Sequence, residues 1–187
     1  MVNHMKYPII GIAGTLATGK DTVAEYLAEQ FGYRHISTGD IVRELAMAEH
    51  GSIERPVLYE TAKSHRESEG AGFLVKRALE HDPPLVITGL RSLGEAKALK
   101  DGGGILLFID APIEVRYERM RSRQRDNETA LTLDGFKQNE AKEWYAGPND
   151  SDFNLRDIEK MSDIVIDNAL ELEPFLALVL EKLEIVR

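Results

Sequence analysis

The stretch GIAGTLATGKDT, residues 11–22, limits the possible folds of this chain more than any other. It grows out of an apolar run, YPIIGIA at 7–13. It leads into residues 21–31, where Val23, Leu27 and Phe31 recur every four positions and Gly32 closes the pattern. A buried strand, a glycine-bearing turn and an amphipathic helix in that order form the first half of a βαβ unit. Inside the turn, Gly14, Gly19 and Lys20 have the G-x-x-x-x-G-K spacing of a phosphate-binding loop. Glycines let the backbone turn its N–H groups inward, and the free donors and dipole at a helix start favour an anion. Gly14, Thr15, Ala17, Thr18, Gly19 and Lys20 are therefore the expected phosphate cradle, with the lysine supplying a mobile charge. The bland alternative, a glycine-rich turn that only caps a helix, is disfavoured by the strand before it and the helix after it.

The position after the lysine normally carries a serine or threonine that reaches Mg²⁺. Here it is Asp21, and the hydroxyl comes one place later at Thr22. Asp21 either assists a hydrated ion or is simply an acid placed favourably in the first helical turn.

Apolar and amphipathic stretches keep alternating beyond this unit. RHIS (34–37), LVITG (85–89), ILLFID (105–110) and DIVID (163–167) read as further strands. ILLFID is apolar on both faces, as a central parallel strand should be. Helices are expected over 40–50, 56–69, 73–80, 92–100, from a cap at Asp110 through Arg125, over 133–144, and along a final stripe of Leu172, Phe175, Leu176, Val179, Leu180 and Leu183. GPNDSD (147–152) reads as a loop. The expected architecture is one α/β domain over 1–187, a three-layer fold with a five-stranded parallel sheet and helices on both faces.

Composition narrows the chemistry. The formal charge of −9 argues against a nucleic-acid polymer as the main partner, though it leaves room for a locally basic site. With no cysteine, disulfides and thiolate metal sites are excluded. No apolar run reaches membrane-spanning length and no signal peptide is visible, so a cytoplasmic location is the default expectation.

Further along the chain the motifs take on a family likeness. GTLATGKDT resembles the loop of nucleoside monophosphate kinases, and its G-K-D-T form looks like the phage-type deoxynucleoside monophosphate kinases. HISTGDIVREL (35–45) resembles the acceptor-binding stretch of adenylate kinases. The resemblance implies that Thr38 and Gly39 line an acceptor pocket, with Asp40 beside them, and that Arg43 grips the acceptor phosphate in the bidentate manner arginine allows. Read without the family, Asp40 is a candidate helix N-cap and Arg43 a surface ion-pair partner for Asp40 or Glu44. TGLRS (88–92) is similar to the D-G-x-x-R turn of the same superfamily, which gives Arg91 a hold on the acceptor phosphate. Thr88 replaces the acid usual there, a second departure near the metal.

IEVRYERMRSRQRD (113–126) carries Arg116, Arg119, Arg121, Arg123 and Arg125. In the kinases this stretch resembles, an R-x-x-x-R pair covers the donor, so Arg119 is expected against adenine and Arg123 at the transferring phosphoryl, with Arg125 as a second phosphate contact and a lid over about 120–133. Cations favouring a helix C-terminus would explain one or two of these arginines. SDIVIDNALELEPF (162–175) resembles the final strand of dephospho-coenzyme A kinases and of an archaeal kinase-like group, which would put Asn168 and Ala169 near adenine. The preceding WYAGPNDSDFNLRDI resembles that group too, without an assignable duty. Together these likenesses imply a kinase using ATP and Mg²⁺, the ion held largely through water near Asp21 and Thr22. The implied acceptor is a small nucleotide, with an acceptor-binding helical region at about 38–80. Lys20, Arg91, Arg119 and Arg123 would neutralise charge during transfer. Two other readings stay open: a dephospho-coenzyme A kinase with Asp40 as base toward a ribose hydroxyl, and an ATP-binding module without turnover.

Overall fold

The computed structural model describes residues 6–122 and 132–185. Five strands, β1 (Ile9–Ala13), β2 (Arg34–Ser37), β3 (Leu85–Leu90), β4 (Ile105–Asp110) and β5 (Ile164–Asp167), form one parallel sheet in the order β2-β3-β1-β4-β5. Register aligns their carboxyl ends: Ser37 lies beside Thr88, Ala13 beside both Leu90 and Phe108, and Asp110 beside Asp167. Every strand thus releases its next loop at the same edge, where open α/β sheets hold ligands.

Alternation along the strands builds two cores. Ile10, Ile12, Leu107 and Ile109 face helix α1 (Lys20–Phe31), which brings Val23, Leu27 and Phe31. The same layer takes Phe175 and Val179 from α9 (Leu172–Lys182). Leu85, Ile87, Leu106 and Phe108 face the other way. There they meet Val75 and Ala78 of α4 (Phe73–Ala78), Leu99 of α5 (Leu93–Asp101), and Leu155 and Ile158 of α8 (Leu155–Met161). The remaining helices are α2 (Thr38–His50), α3 (Arg55–Glu69), α6 (Ile113–Ser122) and α7 (Leu133–Trp144).

One helix is added to those the sequence announces, and two local expectations are corrected. Residues 155–161 form a helix that the apolar spacing does not announce, because about two turns offer only Leu155 and Ile158 as buried anchors. Each contributes about 1.5–3 kcal/mol on burial, and Asn154 caps the first turn by accepting from the Asp157 N–H. Asp110 does not cap α6; it ends β4, and its carboxylate accepts a hydrogen bond from Thr15 Oγ1 at 2.6 Å. Ser92 lies outside α5 as its N-cap, in a reciprocal capping box with Glu95.

Candidate functional site

A cavity of about 1570 Å³ opens along the carboxyl edge of the sheet. Sites for one small molecule span roughly 300–1,000 Å³, so this hollow exceeds the needs of a single guest. Its walls come from three parts of the chain.

The first wall is the loop between β1 and α1. Leu16, Ala17, Thr18, Gly19, Lys20, Asp21 and Thr22 all line the cavity. Gly14 and Thr15 lie buried beneath them. Gly14 holds φ at +140°, and a Cβ there would sit 1.9 Å from the Ile109 carbonyl oxygen, so only glycine lets the loop leave the strand at this angle. Ala17 and Gly19 also have positive φ, at 64° and 96°. Lys20 Nζ folds back onto the Thr15 carbonyl and lies 3.4 Å from Thr18 Oγ1. The lysine and the backbone N–H groups of α1's first turn therefore border one hollow.

The second wall gathers cations. Arg43 of α2, Arg55 and Arg66 of α3, Arg91 after β3, and Lys142 of α7 all reach the cavity. Thr38 and Gly39 line it as well, and Thr38 Oγ1 donates to the Gly89 carbonyl at 3.0 Å. Gly89 has φ of +89°, and a Cβ there would meet that hydroxyl at 2.5 Å, so the α2 start and the β3 end are fitted to each other. Arg43 Nη1 bonds Asp40 at 2.5 Å, which is the ion pair that the sequence left as one option. Asp40 is not the N-cap of α2, a position held by Ser37. Nor does it line the cavity; its side chain is 64% exposed. Arg91 lies 3.3 Å from Glu143 and 5.6 Å from the Phe153 ring centroid. The Thr88 hydroxyl also borders the cavity and is hydrogen bonded to His35 Nε2 at 2.8 Å.

The third wall is the loop after β5. Asn168, Ala169 and Leu170 line the hollow beside Arg119. Arg119 donates to the Asn168 carbonyl at 3.1 Å and the Leu170 carbonyl at 3.4 Å, and Asn168 Nδ2 donates to the Thr18 carbonyl at 2.8 Å. These bonds join the arginine, the last strand's loop and the glycine-rich loop. Arg116 does not share this role: it is buried and paired with Glu140, with its Nε donating to the Ala111 carbonyl at 2.6 Å. Arg123, Arg125 and most of the expected lid lie outside the described residues.

The second wall contains a buried carboxyl group, Glu95. Burial pushes the Glu95 carboxyl up from its ordinary value. The Arg91 and Ser92 backbone N–H groups and the nearby Arg66 guanidinium oppose that shift. Asp21 and Thr22 offer a carboxylate and a hydroxyl at the cavity's edge. Such a sparse oxygen-only set suits Mg²⁺, which retains several waters. No group of three or more His, Cys, Asp or Glu side chains able to hold a metal occurs among the described residues.

Comparison with known proteins places this arrangement. A family model described as an AAA domain matches residues 10–144. The chain belongs to that family. A cytidylate kinase of Methanocaldococcus jannaschii is 30% identical over 126 residues, covering 66% of this chain and 68% of the relative. A UPF0200/UPF0201 protein of Archaeoglobus fulgidus is 28% identical over 185 residues, 94% of this chain; the chain spans 54% of that relative's length. Among solved structures, shikimate kinase from Aquifex aeolicus shares the fold, with a TM-score of 0.59, 23% identity, and coverage of 94% of this chain and 96% of that one. Its fold is that of the P-loop kinases, and a nucleoside monophosphate kinase is among the proteins it is similar to.

The sequence had not singled out Arg55, Arg66, Glu95, Lys142 or Phe153, all of which line the cavity. Only Glu95 left a signal, since S-x-x-E at 92–95 is the capping-box spacing. Arg66 sits among the charged residues of KSHRESE and looks there like any solvated position.

Proposed function

We propose that the protein transfers the γ-phosphoryl group of ATP to the phosphate of a nucleoside or deoxynucleoside monophosphate. One observation carries the reading: a single cavity has the lysine-bearing loop on one wall and Arg43 and Arg91 on another. Two anionic guests laid end to end would meet between those walls.

Each residue then has a defined task. Amides of the 14–20 loop and Lys20 hold the donor's β- and γ-phosphates. Arg119, anchored on the 168–170 carbonyls, packs against the donor base with Asn168 and Ala169. Arg43 and Arg91 orient the acceptor phosphate, with Thr38 and Gly39 forming that end of the pocket and Asp40 holding Arg43 from outside it. The nucleophile is an ionised phosphate oxygen, so no side chain needs to remove a proton. Catalysis is positioning and charge neutralisation by Lys20, Arg91 and Arg119, joined by Arg123 from beyond the described residues. Asp21 and Thr22 would hold Mg²⁺ through water; when bound, the ion neutralises charge on the donor phosphates.

A coupled assay of ADP release over the common ribo- and deoxyribonucleoside monophosphates tests this. The expectation is turnover of at least one at roughly 1–100 s⁻¹, the usual range for kinases. If none exceeds acceptor-free ADP release, the reading fails. Dephospho-coenzyme A belongs in the same panel. Its hydroxyl transfer would need a base and would be largely abolished in Asp40→Asn, whereas phosphate-to-phosphate transfer would only weaken.

A further inference from the structure

Glu95 has an ordinary explanation as the reciprocal partner in the capping box of α5. Its Oε2 accepts from the Arg91 and Ser92 backbone N–H groups at 2.7 and 3.2 Å. A glutamine would serve that purpose equally well and would spare the cost of burying a charge. Yet the residue is a carboxylic acid, its side chain only 2% exposed, and its other oxygen faces Arg66 Nη2 at 3.8 Å. The capping role does not use that second oxygen.

Arg66 is equally telling. Its side chain is 17% exposed and reaches the cavity from α3. The guanidinium makes no hydrogen bond among the described residues, and its buried Nε has no partner there. Arg43 and Arg91 both have close carboxylates, but those carboxylates are partly exposed and can yield to a competing anion. The Arg66–Glu95 contact differs: too long to satisfy the donors, too buried to be rearranged by solvent.

We propose that Arg66 is a third cation for the acceptor's phosphate and that Glu95 is the positioning residue that aims it. Glu95 fixes the Arg91 turn through backbone bonds and Arg66 through charge, so one buried carboxylate sets the spacing of two guanidinium groups. This rests on the acceptor reading above. In Arg66→Ala, KM for the fastest monophosphate should rise about 30-fold, in the range for losing a charge-assisted contact, while KM for ATP stays within about twofold. Glu95→Gln keeps the cap and should raise acceptor KM by about tenfold, with kcat reduced less than that. In the double variant the effects should not add, because Glu95 acts through Arg66. An unchanged acceptor KM in Arg66→Ala, or additive effects in the double variant, would overturn the inference; equal loss on ATP and acceptor in Glu95→Gln would reduce Glu95 to a structural role. A second measurement separates this from failure of the monophosphate reading. Inorganic phosphate titrated into the isotopically labelled protein should shift the Arg66 Nε–H resonance, and should shift it less in Glu95→Gln. That result supports the inference even if no monophosphate turns over. A resonance indifferent to phosphate in the native protein sinks it.

Discussion

The two ends of the cavity are built on opposite plans. The proposed donor end is one continuous loop that offers backbone amides and a lysine anchored to its own loop. The proposed acceptor end draws on α2, α3, the turn after β3, and α7, and offers charged side chains, of which Arg43 and Arg91 are already paired to carboxylates. Amides held by glycine torsions cost little to keep in place and discriminate little between phosphates. Side-chain pairs from separate elements can be retuned one at a time. The comparison suggests a fixed donor site and an adjustable acceptor site.

The largest break should come at the donor end. Lys20→Met should lower kcat by about a thousandfold, as loss of a charge aimed at the transferring group does elsewhere. Steady-state rates with a thermal melt as control would show this; a loss under tenfold would remove the lysine from chemistry. Gly14→Ala comes next. A Cβ 1.9 Å from the Ile109 carbonyl must displace the loop, so we expect loss of ATP binding and about 2–3 kcal/mol of stability, read by denaturant titration. Glu143→Gln sharpens the contrast in the other direction. Removing the partner of Arg91 should lower acceptor KM by about two- to fivefold, a small gain because exposed ion pairs are weak. A rise in acceptor KM would mean that Glu143 positions Arg91 and does not compete for it.

The smallest effect concerns pH. With its ring protonated, His65 of α3 donates from Nδ1 to Glu69 at 2.5 Å and from Nε2 to Glu49 of α2 at 2.7 Å, and its ring stacks on Phe73 of α4. Hydrogen bonds to Glu69 and then Glu49 raise its pKa, against a smaller lowering by burial. A raised pKa in the folded state means the stabilisation is fully present below the unfolded value near 6.5 and fades as pH climbs through the folded value. His65→Gln should therefore depress the melting temperature by about 2 °C near pH 6 and by less near pH 9. A deficit that grows with pH would contradict the clasp.

The same contrast explains what could be read in advance. Strand runs such as ILLFID and the spacing of Val23, Leu27 and Phe31 carry the periodicities that burial imposes, so the sheet and α1 were visible. The 14–22 loop was visible because its chemistry is contiguous. Arg66 and Phe153 were not, because their meaning depends on Glu95 and Arg91, distant in sequence and joined only by folding. Helix α8 escaped for a related reason: Leu155, Ile158 and Met161 make too short a stripe to announce a helix, and what fixes it is the sheet face beneath.

The segment before α8 also has a consequence for how the enzyme could change. Phe153 bridges to Ser92, the Asn154 N–H bonds the Arg91 carbonyl at 2.8 Å, the Gly94 N–H bonds the Asp150 carbonyl at 2.9 Å, and Lys97 pairs with Asp150. A peripheral ribbon thus splints the turn that presents Arg91. Lengthening or trimming that ribbon by one residue would be felt first as altered selectivity toward the acceptor, while the grip on ATP stayed as it was.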